Sequence, residues 1–230
     1  MVKRVFSLFF ITAVLGLSSL TAQEIITAER FLEMVSERYG AISDYEADVV
    51  IRSGNTDMVG RLSYLSPNLL RIDFSRPAQQ VIVFSGDTLT VHLPEFRATL
   101  TQSISQSNRN PAAGIGMVSP QGLTLLRRNY IATFVTGPNP VPLYPGSSEQ
   151  VVQLRLTRRV ISEGFREIIL SIDNETRLIR RIEGRTVAEG IVRFDFTNVR
   201  TNVGIPEQRF VYVPPPTANV ISNFLFRDVD

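Results

Sequence analysis

Between Tyr45 and Thr101 the chain breaks into six short β-type runs, each closed within a few positions by turn-forming residues. The runs are YEADVVIR, MVGRLSYL, LLRIDF, QVIVFS, TLTVHL and RATLTQ. The punctuation is Gly54-Asn55, Ser66-Pro67-Asn68, Arg76-Pro77, Ser85-Gly86-Asp87 and Pro94-Glu95. Connections this short join antiparallel neighbours, because a parallel crossover needs a dozen or more residues. The stretch therefore predicts an antiparallel meander of about six strands.

Further β-type runs follow a proline-rich loop at 136–149: VVQLRLTRR, FREIILSID, RLIRRIEGR, IVRFDFTNV and QRFVYVP. They add about five strands by the same reading. VPPPTANVISNF ends the pattern, since consecutive prolines cannot pair inside a sheet. Two helices are predicted. Thr27 caps a run with Phe31, Leu32, Met34, Val35 and Tyr39 on one side, ended by Gly40. Ser119-Pro120 opens another, with Leu123, Leu125, Leu126 and Tyr130. Gln106 to Gly116 is polar and small. A sheet of about eleven strands must curl and bury one face, and the helices are its natural cover. The expected class is mainly β with an α cover: an incomplete antiparallel β-barrel closed by short helices.

The N-terminus reads Met-Val-Lys-Arg, then an apolar run from Val5 to Leu20, then small residues to Ala22. That order is a secretory signal peptide over residues 1–22, and the run is shorter than the roughly 20 residues of a membrane span. The remainder, 23–230, suits a single domain. With no cysteine near the cleavage point to carry a lipid anchor, and none in the chain, the expected product is a soluble, disulfide-free periplasmic monomer. Removing Lys3 and Arg4 from the 24 basic side chains leaves them equal to the 22 acidic ones. Acidic residues are interspersed with Arg127-Arg128, Arg158-Arg159 and Arg180-Arg181, so no nucleic-acid patch forms.

Catalytic chemistry finds little support. His92 is the only histidine and has no third group to orient it. There is no G-x-S-x-G elbow and no metal-ligand spacing, so neither an enzyme nor a cofactor is expected. Gly114, Gly116 and Gly122 fall short of a nucleotide loop and read as a hinge. Asp173-Asn174-Glu175-Thr176 reads as a turn, which also accounts for its sequon spacing. Asp44, Glu46, Asp48, Glu163 and Glu167 read as solvated carboxylates. A curved apolar surface with helical cover describes a binder.

The segment GRLSYLSPNLLRIDFSRPAQQVIVFSGDTLTVHLP resembles the LolA family of periplasmic lipoprotein carriers, through Gly60, Pro67, Asn68, Leu70, Arg71, Pro77, Gly86, Leu89 and Pro94. The C-terminal Phe-rich run closing at Phe210, Pro214 and Pro215 resembles it too. Thr90 and His92 stand where that family usually carries aromatics. The resemblance implies an eleven-stranded incomplete barrel holding acyl chains. It also implies passage of acylated lipoproteins from an inner-membrane ABC exporter to an outer-membrane acceptor. Related readings are an envelope-stress sensor, a carrier of free lipid, or an interaction domain docking at a sheet edge.

Arg71 lies opposite Leu70, Ile72 and Phe74 and shares a face with Leu69 and Asp73, and alternation alone leaves open which face is interior. The resemblance implies that it reaches the barrel mouth and donates to helix ends or loop carbonyls of the lid. Arg71→Leu is then expected to strengthen cargo retention. Leu69, Val81, Val83, Leu89, Val91, Leu126, Ile168 and Leu170 are the candidate lipid contacts, with a dry packed core as the alternative.

Overall fold

The computed structural model describes residues 26–103, 117–159, 161 and 164–223. The expected signal peptide, the polar segment with Gly114 and Gly116, and Glu163 lie outside these residues.

The described strands form one sheet. Strands β1 (Asp44–Ser53), β2 (Thr56–Leu65), β3 (Leu69–Arg76), β4 (Val81–Ser85), β5 (Thr88–Leu93) and β6 (Ala98–Ser103) are the expected meander. After helix α2 (Pro120–Asn129) come β7 (Tyr130–Phe134), β8 (Val141–Pro142), β9 (Gln150–Arg158), β10 (Phe165–Asp173), β11 (Ile179–Thr186), β12 (Ile191–Thr201) and β13 (Asn219–Ser222). The order across the sheet is β13-β6-β5-β4-β3-β2-β1-β12-β11-β10-β9-β7, with β8 paired to β9. All pairs are antiparallel except β13 with β6. The ends do not meet, so the barrel is incomplete.

Three strands exceed the sequence reading, and one expected strand is absent. β7 follows α2 without a turn: Tyr130, the residue after the helix, is already extended. β8 and β13 are too short to show alternation. QRFVYVP does not pair, because Pro206 and Pro214 to Pro216 bracket it; it becomes a 3-10 turn at Glu207–Phe210 followed by extended chain.

Alternation sorts the side chains. Tyr45, Ala47, Val49 and Ile51 of β1 share one face with Leu62 and Tyr64 of β2 and with Leu70, Ile72 and Phe74 of β3. The same face continues through Phe194, Ile182, Leu170, Leu154 and Phe134. On it lie α1 (Ala28–Gly40), capped by the Thr27 hydroxyl, and α2, capped by Ser119. α1 buries Phe31, Leu32, Val35 and Tyr39, and α2 buries Leu123 and Leu126. These residues form a single core with the sheet. The helices run beside each other and beside β7, linked by Arg127 to Glu33 at 2.7 Å. α1 is held further by the Tyr39 hydroxyl near its C-terminus, which accepts from the Ile179 amide at 3.1 Å, and by Arg177 over the Phe31 ring near its N-terminus at 4.7 Å.

The opposite face carries a strap. Leaving β12, the chain is pinned by the buried Asp44, whose carboxylate accepts from the Val203 amide at 2.7 Å and the Gly204 amide at 3.1 Å. It crosses β3 and β4 with the turn at Glu207–Phe210, then joins the edge of β6 as β13. No described helix is long and apolar enough to cross a membrane.

Candidate functional site

Register divides the expected lipid contacts between the two faces. Ile82 pairs with Val91 and Phe84 with Leu89, while Ile72 pairs with Ile82 and Leu70 with Phe84. Leu89 and Val91 therefore lie on the helix side, as do Ile168 and Leu170, and Leu126 of α2 packs against that side. Val81 pairs with Asp73 and Val83 with Arg71, so Val81, Val83 and Leu69 share the strap face.

Within the helix face two environments adjoin. Leu126, Ile168 and Leu170 are fully buried in the packed core under α1 and α2. Leu89 and Val91 are half-buried, together with Ile82, Phe84 and Leu100, and Val91 pairs with Leu100 across β5 and β6. Ile82 and Phe84 join this strip to the core. The face is thus one continuous apolar surface, closed beneath the helices and partly open on β4 to β6.

On the strap face Arg71 is the organising residue. Its side chain is 15% exposed. Nε and Nη2 donate to the Asp73 carboxylate, the latter at 2.8 Å. Nη1 donates to the carbonyls of Arg209 at 3.0 Å and Val211 at 3.4 Å. Arg209 closes the circle by donating to Asp73, and the Arg71 guanidinium lies 5.9 Å from the centre of the Tyr212 ring. Buried guanidinium needs such partners. The expected partners are helix ends or loop carbonyls of the lid; the carbonyls that Arg71 reaches belong instead to the strap, on the side of the sheet away from the helices. The sequence singles out Arg71 and puts Asp73 on its face, two positions along the same strand, but holds no local sign of Arg209 or Tyr212.

His92 is buried on the strap face. Its Nδ1 lies 2.9 Å from the Thr99 hydroxyl and its ring 5.7 Å from that of Tyr212. Among the described residues no group of three side chains is placed to hold a metal. Asp173 is a turn residue, accepting from the Thr176 amide at 2.7 Å and hydroxyl at 2.8 Å.

No family model and no curated protein matches the sequence. Solved structures do match. An uncharacterised conserved protein of Thermus thermophilus aligns with TM-score 0.56 and 14% identity, over 85% of this chain and 98% of that one. MucB, in the Pseudomonas aeruginosa MucA/MucB complex, aligns with TM-score 0.52 and 15% identity, over 84% of this chain and 63% of that one. A LolA superfamily protein of Nitrosomonas europaea aligns with TM-score 0.40 and 14% identity, over 81% and 98%. At these identities the first two alignments show a likeness of fold alone.

Proposed function

We propose that this chain, an open half-barrel of the LolA-like fold, is a periplasmic carrier that takes the acyl chains of lipoproteins on its helix face and moves them from the inner to the outer membrane. The observation that carries the reading is the continuous apolar face, packed beneath α1 and α2 and half-open at Ile82, Phe84, Leu89, Val91 and Leu100. An acyl chain entering along the open strip meets the closed part where α1 and α2 lie on the sheet, and lengthens its contact by displacing them.

Burying acyl chain from water is worth about 0.8 kcal/mol per CH₂, so unrestrained burial would hold a lipoprotein almost irreversibly. A displaceable cover opposes this. The helices return to their own core contacts when cargo leaves, and that difference between carrier states offsets part of the gain. Leu126, Ile168 and Leu170 act as both the resting core and the deep end of the groove. Arg71 is a latch, and the element it fastens is the strap. An ABC exporter on the inner membrane and an acceptor on the outer membrane are the partners this role requires.

Native mass spectrometry of the protein recovered from its producing cells tests the reading. Acylated species bound at one per chain are expected, and Val91→Asp is expected to remove at least nine-tenths of them. Protein that carries no acyl species, or carries them undiminished in that variant, overturns it.

A second reading rests on β13. Among the described residues its outer edge has no partner, and all four of its residues are exposed. Such an edge suits an interaction domain that takes up a partner's strand, and MucB is itself solved with MucA. Protein free of acyl species, with a second polypeptide retained in the native spectrum, favours that reading.

A further inference from the structure

One rim of the sheet collects the ends of most of its strands. Arg76 ends β3 beside the turn at 77–80, and Val81, Asp73 and His92 pair just inside it. The connection at 94–97 follows at the same level, since Leu93 pairs with Ala98. Thr157 pairs with Glu167, Phe165 with Thr186 and Arg185 with Ile191, so the β9 to β10 and β11 to β12 connections share that rim. Val192 pairs with Ser53, which carries the rim on to the β1 to β2 hairpin.

Three of these connections carry bare apolar side chains. Phe96 is 71% exposed, Ile161 85%, Val187 55% and Ile191 51%. Beside Phe96 lies a cleft of about 320 Å³ lined mainly by Pro77, Ala78, Leu93 and Pro94, with Gln80 and Glu95. Nearly every described arginine donates to a carboxylate, a carbonyl or a side-chain amide. Arg76 and Arg97, flanking this cleft in sequence, are the described arginines without a side-chain partner. Of the described acids on the rim, Glu189 is engaged by Arg166 and Arg185 and Asp57 by Arg52, and Glu95 stands exposed. The turns of the opposite rim carry Asp87 and Asp173-Asn174-Glu175.

We propose that this rim docks the protein on a bilayer containing anionic phospholipid. Phe96, Ile161, Val187 and Ile191 would enter the headgroup boundary, and Arg76 and Arg97 would meet lipid phosphates. Separate apolar tips spaced along a rim match a flat, yielding surface better than a peptide, which needs a continuous groove or edge. Unpaired arginines beside them supply charge complementarity to phosphate. Two basic residues give a weak, reversible contact. The inference does not rest on cargo binding, since it concerns a different part of the molecule.

Flotation of the purified protein with vesicles tests it, using phosphatidylethanolamine with about one quarter phosphatidylglycerol against phosphatidylethanolamine with phosphatidylcholine. Binding to the anionic vesicles that weakens as salt is raised is expected. Arg76→Gln and Arg97→Gln should each lower it about fivefold, and Phe96→Ser should lower it comparably. Tyr144→Ser on the opposite rim and Val91→Asp on the helix face should leave it unchanged. All these sites except Val91 are exposed, and thermal melts of the variants verify that the fold persists. No binding, equal binding to both vesicles, insensitivity to the rim substitutions, or an equal loss on Tyr144→Ser overturns the proposal. So does capture of an acidic peptide without vesicle binding. If vesicle binding were instead lost in Val91→Asp and kept in the rim variants, the helix face would be the contact and the rim would not.

Discussion

Arg71 shows how much a single residue can disclose. A guanidinium between Leu70 and Ile72 is inconsistent with a strand buried on both faces, and alternation alone leaves open which face it joins. The sequence also omits the partner, because Arg209 lies 138 positions away and nothing local announces it. Charge-assisted hydrogen bonds are worth about 1.5–3 kcal/mol each when lost, and Asp73 keeps Arg209 after the change. Arg71→Leu is therefore expected to weaken strap docking by about 2 kcal/mol. The measurement is amide exchange at Asn219 and Asn223, which donate to the carbonyls of Arg97 and Thr101. Exchange should quicken about thirtyfold; unchanged protection there would remove Arg71 from the role of latch. The buried tyrosines make a second residue-scale test. Burial pushes the Tyr39 hydroxyl up to about 12, and Tyr64 likewise to about 12. A hydroxyl whose folded pKa exceeds its unfolded value near 10 binds its proton more tightly when folded. Its stabilising contribution is whole below pH 10 and is lost as pH rises towards 12. For Tyr39 the loss is on the order of 3 kcal/mol over that window. Denaturation midpoints should hold steady to about pH 10 and then fall, with tyrosinate absorbance from Tyr39 appearing only as the fold gives way.

The six-strand meander was readable because each turn carries its own chemistry and each strand its own alternation. Strands without such marks were not: β7 begins where α2 ends, and β13 borrows its hydrogen bonds from β6 rather than from a hairpin. The alternation of RFVYV was a misleading mark, since flanking prolines withhold the donors that a ladder needs. Pairing across elements also sets limits invisible in one strand. Gly184 of β11 stands opposite Ile168, and a Cβ placed there would lie 2.5 Å from the ring of Phe165. Gly184→Ala should therefore displace that buried ring and cost about 1–3 kcal/mol by overpacking. Urea denaturation of the pair Gly184→Ala and Phe165→Leu checks it. Phe165→Leu alone destabilises by leaving a void, and the two together should cost less than the sum of each. Strict additivity would show that the ring is not what fills the glycine's space.

At the scale of the molecule, the sheet separates two systems that sequence could not assign. Alternation says that Val81 and Val83 share a face, and that Leu89 and Val91 share one. Whether these are the same face depends on the register across the turn at Gly86, and the pairing of Val83 with Thr90 makes them opposite. That is why five of the expected lipid contacts lie under or beside the helices, while Leu69, Val81 and Val83 lie under the strap with Arg71. If the helix face takes acyl chains and the strap face is structural, the two should respond to separate substitutions. Val91→Asp puts a carboxylate in the half-open strip; desolvating it beside an alkyl chain costs several times what one lost CH₂ contact does. Acyl occupancy should fall at least tenfold, and exchange at Asn219 should stay within about twofold of the parent. Arg71→Leu should do the reverse, quickening exchange at Asn219 and leaving occupancy within about twofold. This replaces the expectation that Arg71→Leu tightens retention, because no atom of Arg71 hydrogen-bonds to α1 or α2 among the described residues. Occupancy that rose or vanished in Arg71→Leu would mean that the faces are coupled through the strands between them, and the strap would then belong to the carrier's working cycle.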